Sequence, residues 1–169
     1  IEDVQGHDIP WQVYPNKPSA NDPALNSYNG NPSAQFGEQS FNQVLLHYQP
    51  DIVIDIRDWW MIEYQQRSPF RDFFHWAIMP TVDATPQADQ WINTYASADA
   101  VFAYSEFGRD TLLSQCQDIK FVDTASPSAS NAFMPYENKG EHKASMGLSE
   151  NVLILGTVMR NQKRKLYPD

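Results

Sequence analysis

Four short apolar runs recur along the chain, and helical spacing fills the stretches between them. They are DIVIDI at 51–56, FFHWAIMPTVD at 73–83, DAVFAYS at 99–105 and IKFVD at 119–123. Short runs rich in β-branched and aromatic residues predict buried strands. Ahead of the first, residues 36–48 carry Phe41, Val44, Leu45 and Tyr48 at helical spacing, and Pro50 stops that helix. WWMIEYQQ follows the first run. TPQADQWINTYASA follows the second, with Pro86 near the helix start, and SEFGRDTLLSQCQ follows the third, with Ser105 as its predicted N-cap. A parallel pair needs a crossover, and a helix supplies it. The alternation therefore predicts an α/β fold with a parallel, doubly wound sheet.

The pattern breaks twice. Residues 15–35 are rich in Pro, Asn and Ser and predict a loop. Residues 124–140, TASPSASNAFMPYENKG, predict a linker. Beyond it, EHKASMGLSE reads as a helix ending near Gly147, and NVLILGTV at 151–158 as a strand. The organisation expected is a first domain over 1–123, a linker over 124–140 and the first αβ unit of a second domain over 141–169. The chain starts at Ile1, without Met, and stops at Asp169 where a crossover helix is due, so it reads as a fragment.

Composition narrows the classes. A hydrophobic share of 41% and five Trp can build a core. No run reaches the roughly 18–20 apolar residues of a membrane span, and the N-terminus lacks a signal-peptide pattern. The lone Cys116 excludes an intramolecular disulfide and fits a reducing, cytoplasmic setting. A net charge of -9 argues against general nucleic-acid binding. The four His have no metal-ligand spacing, so no structural metal is expected.

Parallel sheets bind ligands at the carboxyl ends of their strands, which selects a few residues. Asp83 ends the second run and suits a general base, or a turn or N-cap aspartate. Asp58 follows the first run on the same argument. Trp59 and Trp60 offer a stacking platform or, more commonly for Trp, fill a core. His75 sits within an apolar run, where a lone His is more often a core residue than a catalyst. Ser105 suits an N-cap better than a nucleophile, because YSEFG lacks the first Gly of a nucleophile elbow. Neither a dinucleotide-binding Gly motif nor a P-loop is present.

The last stretch, LGTVMRNQKRKLYPD, gathers four of the chain's 12 Lys and Arg between Arg160 and Lys165. Cations in a first helical turn oppose the helix dipole, so a solvated charge run is the less comfortable reading. Arg160 and Lys165 together suit an anion, with a diphosphate the natural candidate.

Taken in order, SFNQVLLHYQPDIVIDIRDWW, FHWAIMPTVDATP, ADAVFAYSEFGRDTLL and LGTVMRNQKRKLYPD resemble family 4 glycosyltransferases of the GT-B fold, over about residues 36–169. The resemblance implies two Rossmann-like domains, of which this chain holds an incomplete acceptor-side domain and the start of the donor domain. It implies retaining transfer of a hexose from a nucleoside-diphosphate sugar to a hydroxyl of a carbohydrate, lipid or protein acceptor. No cofactor is implied, and peripheral membrane association of the parent is. Arg160 and Lys165 match the family's diphosphate-holding pair. Asp83 matches an acceptor-side catalytic position, with His75 secondary, and Asp58, Trp59 and Ser105 line the cleft. Ala84 stands where the family usually has Gly. The family's opening Gly-rich strand and its paired-glutamate element are not among these residues, so the fragment is expected to be inactive alone. Two other readings remain open: a non-catalytic module for a phosphorylated ligand, and a nucleotide-sugar epimerase of the same fold.

Overall fold

Each apolar run contributes to a strand, the last strand reaching one residue past its run: β1 Ile52–Asp55, β2 His75–Ile78, β3 Ala100–Ala103 and β4 Val122–Thr124. All pair in parallel, in the order β1-β2-β3-β4. The computed structural model describes residues 10–129, 133–156 and 158. The chain falls into two compact units, Ile1–Pro127 and Ser128–Asp169, and the sheet belongs to the first. That unit also holds the helices α1 Ala24–Gly30, α2 Glu38–Tyr48, α3 Trp59–Gln66, α4 Asp89–Ser97 and α5 Glu106–Gln115.

One core joins sheet and helices. Trp76 and Ile78 of β2 and Val101 of β3 pack with Leu45 of α2, Ile62 of α3, Ile92 and Tyr95 of α4 and Leu112 of α5. Burying each large apolar side chain of this kind contributes about 1.5–3 kcal/mol. Since α2, α3, α4 and α5 all feed this cluster, they cover the same face of the sheet. On β1 the opposite phase is open: Ile52 is 58% and Ile54 69% exposed.

The α/β chain carries a four-stranded parallel sheet, consistent with the expected Rossmann-like fold. Among the described residues its strand order does not reverse, so right-handed crossovers send α3, α4 and α5 to one side, and the second helical layer of a doubly wound sheet is not seen among them. One expectation is corrected: β1 is not a buried strand. It is a sheet edge, and its apolar character is spent partly on the uncovered face.

The 15–35 segment is also more ordered than a loop. Asp22 Oδ1 accepts from Ala24 N at 2.8 Å, and α1 starts after Pro23, which suits a helix start. Pro32–Phe36 then forms a 3₁₀ turn, where Asn31 Oδ1 accepts from Ser33 N. Pro and Asn mark helix beginnings here rather than an irregular excursion.

The second unit contains α6, Lys139–Ser145, whose N-cap Asn138 accepts from Glu141 N. Gly147, at φ +75°, closes that helix as expected for a left-handed stop. The strand expected at 151–158 is not formed among the described residues. The run over 152–156 lies in no strand, with Leu153 81% and Leu155 88% exposed. A strand exists only by pairing. Here the carbonyls of Glu150 and Val152 instead accept from Lys143 Nζ, at 3.0 and 2.8 Å.

Candidate functional site at the carboxyl ends of the strands

Beyond β1 the backbone turns through Arg57 and Asp58 into α3. Asp55, the last residue of β1, is 8% exposed and is held by Arg57 and by Gln65 Nε2, the latter at 2.6 Å. Arg57 Nη1 also donates to Phe36 O at 2.7 Å, and Tyr64 OH donates to the same carbonyl at 2.9 Å. The Asp55 hydrogen bond, opposed by burial, raises the Arg57 guanidinium pKa further above its ordinary value. This cation is committed to the fold.

Asp58 differs. It holds the N-cap position of α3 in extended backbone, but its side chain makes no capping hydrogen bond. Trp59 stacks on Trp91 at 5.8 Å and 25°, and both rings pack against the core. That matches the core-filling role rather than a free platform. Trp60 is half exposed and meets Phe36 edge-to-face at 4.9 Å.

The segment after β2 is pinned although Asp83 itself is exposed. Gln87 is buried; its Nε2 donates to Ala84 O at 2.6 Å and its backbone N to Gln115 Oε1 at 2.8 Å. Gln115 Nε2 returns a bond to Gln87 O at 2.6 Å. On the other side, a Cβ on Gly108 would stand 3.1 Å from Ala103 Cβ and 3.3 Å from Val82 Cβ. Only glycine lets the first turn of α5 come this close to the residue before Asp83. Ser105 Oγ accepts from Gly108 N at 3.3 Å, so Ser105 is the N-cap of α5.

Asp58 follows β1 and Asp83 follows β2, both beyond the carboxyl ends of the strands, and Tyr95 of α4 lies in the core. The Tyr95 side chain is fully buried, and its hydroxyl has no hydrogen-bond partner. Burial pushes its phenol pKa up from the ordinary value, and the charges of Asp58 and Asp83 push it the same way. Neither carboxylate takes part in an ion pair among the described residues. Carboxylates without ion-pair partners at the carboxyl ends of the strands can accept hydrogen bonds from a ligand, or take a proton from one.

His75 is not part of this arrangement. It opens β2 at the amino end of the sheet and is exposed. It lines a polar cleft of about 470 Å³ with Asp51, Arg71, Asp99 and Lys120. There Asp99 accepts from Lys120 Nζ at 2.7 Å, Arg71 Nη2 at 2.8 Å and Trp76 N at 2.9 Å. Burial opposes ionisation of Asp99, but these bonds outweigh it and hold the carboxyl well below its usual range. Arg160 and Lys165 lie outside the described residues.

Tyr95 carries no functional signal in the sequence. It stands four residues after Trp91 and three after Ile92, a spacing that marks it only as core. Among the described residues, no group of three or more His, Cys, Asp and Glu is placed to hold a metal ion, and no helix is long and apolar enough to cross a membrane. Comparison with protein-family models, with curated proteins and with solved structures gives no match to this chain.

Proposed function

We propose that the first unit is the acceptor-side part of a glycosyltransferase that moves a hexose from a nucleoside-diphosphate sugar to an acceptor hydroxyl. The observation that carries this reading is that Asp58 and Asp83 stand beyond the carboxyl ends of β1 and β2 without ion-pair partners among the described residues. In the proposed reaction Asp83, the more exposed, orients the acceptor hydroxyl and draws on its proton. Asp58 accepts from a neighbouring hydroxyl. Arg160 and Lys165 hold the diphosphate and stabilise the charge that develops as it leaves. The GT-B arrangement, retention of configuration and inactivity of this chain alone belong to the same proposal, which rests on the resemblance of the four motifs.

The test is to assay the intact protein against a panel of nucleotide sugars, with and without acceptor. Transfer to acceptor supports the reading. Epimerised or hydrolysed sugar in the absence of acceptor, with no transfer when acceptor is added, overturns it in favour of a nucleotide-sugar epimerase or hydrolase. Nucleoside-diphosphate binding should weaken about tenfold or more when Arg160 and Lys165 are both changed to Ala. Unchanged affinity removes them from the site.

A further inference from the structure

We propose that the uncovered face of the sheet is a docking surface for one amphipathic helix of a partner protein, apolar on one side and flanked by Lys or Arg. The inference is independent of the transferase reading. It concerns the face turned away from the core and uses neither Asp58 nor Asp83.

Side chains alternate along each strand. Val53, Trp76, Val101 and Val122 turn to the core that α2, α3, α4 and α5 cover. The residues of opposite phase turn away from it. Ile54 pairs in register with Ala77, and Ala77 with Ala100. Val101 pairs with Val122, which sets Phe121 beside Ala100. One row across the open face therefore reads Ile, Ala, Ala, Phe. Its outer members stand clear, Ile54 69% and Phe121 48% exposed. In the next row the Phe102 ring meets Phe121 edge-on at 5.8 Å, which fixes Phe121 on this face. The two alanines are the floor of an apolar depression. Ile54 and Phe121 wall it, and Phe102 closes its carboxyl end.

Size selects a helix. Three strand spacings separate β1 from β4, about 14 Å in all. A helix with its side chains is about 10–12 Å across, so one helix fills the span and two do not fit. All-parallel sheets take helices on both faces. Here α2 to α5 are spent on the core face, while α1 and α6 bury no residue. A helix in the depression would seat one large apolar side chain over the alanines and rest its neighbours at i+3 and i+4 against Ile54 and Phe121.

Charge selects which helix. The chain has a net charge of -9. Asp123, in register with Phe102, is the carboxylate among the outward-turned strand residues, and it has no ion-pair partner among the described residues. A second copy would bring the same charge to the contact. Lys or Arg beside an apolar stripe complements it.

The experiment titrates the full chain into a fluorescein-labelled Leu–Lys peptide of amphipathic helical order, about 18 residues long so that it is helical, and reads anisotropy. A Leu–Glu peptide of the same order and a scrambled Leu–Lys peptide are the comparisons. Saturable binding of the ordered Leu–Lys peptide is expected, at least about tenfold weaker in Ile54→Asp and in Phe121→Ala. Leu113→Asp adds the same charge at an exposed apolar residue of α5 and should leave affinity unchanged. Asp123→Asn, a surface change that spares the fold, should weaken binding about two- to fivefold. Equal binding of the Leu–Glu or the scrambled peptide overturns the class of partner. Affinity unchanged in Ile54→Asp, Phe121→Ala and Asp123→Asn overturns the surface. No binding by a monomeric chain overturns docking altogether. No binding by a dimer that Ile54→Asp dissociates overturns the partner helix and gives the face to a second copy.

Discussion

Asp99 and Asp83 are both carboxylates at strand ends, one just before β3 and the other beyond β2, and the fold uses them in opposite ways. Asp99, at the amino end, is enclosed by donors: the Arg71 guanidinium, the Lys120 ammonium and the Trp76 backbone N–H. Arg71 is itself tied to the carbonyls of Phe74 and Ser97, at 3.0 and 2.7 Å. Charges there answer one another and lock the entries of β2 and β3. Asp83 and Asp58, at the carboxyl end, are held in place by neighbours yet left without ion-pair partners among the described residues. Both ends are polar, so polarity alone does not mark function. What separates them is whether the charges are already satisfied.

The sharpest way to break this comparison is Asp99→Ala. It removes the carboxylate partner of Arg71 and Lys120 and leaves the Trp76 backbone N–H without its acceptor, and we expect a loss of about 2–3 kcal/mol in urea denaturation. A loss below about 0.5 kcal/mol would mean the amino-end network is ornamental. The same network carries a pH signature. The folded Asp99 carboxyl sits below its ordinary value of 3.8, so the unfolded chain binds the proton first. Stability from this group is full above pH 3.8 and declines as pH falls through and below it. Asp99→Asn should flatten that part of the acid-denaturation curve.

A smaller effect is expected at Ser105. Removing its cap in Ser105→Ala should cost about 1 kcal/mol of stability and leave the sugar-transfer rate of the intact protein unchanged. Loss of transfer at wild-type stability would move Ser105 into the site. The smallest stability change belongs to the carboxyl-end acids. Asp83→Asn and Asp58→Asn should shift stability by no more than about 0.5 kcal/mol, because neither breaks an ion pair. A loss comparable with that of Asp99→Ala would erase the distinction between the two ends.

The strands and their helices are legible because period and length of the apolar runs are local properties, and each run does contain a strand. Ser105 is legible as an N-cap for the same reason. The cover of the sheet is not. Isoleucines in DIVIDI read as buried, but Ile52 and Ile54 face the open side of an edge strand, and strand order is set by contacts between segments. The run over 152–156 has the composition of a strand, yet Lys143 engages the flanking carbonyls and no pairing forms. In the candidate site, Asp58 and Asp83 are legible as strand-end acids. Tyr95 is legible only as core, since its spacing does not show that its hydroxyl is buried without a hydrogen-bond partner. His75 shows the converse. Its run is legible, but only the strand's actual start shows that His75 opens β2 and is exposed rather than lying inside a buried strand.

The central claim is that the carboxyl end of the sheet carries the chemistry and the amino end carries stability. Its most direct measurement is the rate of sugar transfer from a nucleotide sugar by the intact protein, comparing Asp83→Asn with His75→Gln. The account predicts a fall of about a hundredfold or more in kcat/KM for Asp83→Asn and a value within about twofold of wild type for His75→Gln. Equal losses in both, or a loss confined to His75→Gln, would contradict it.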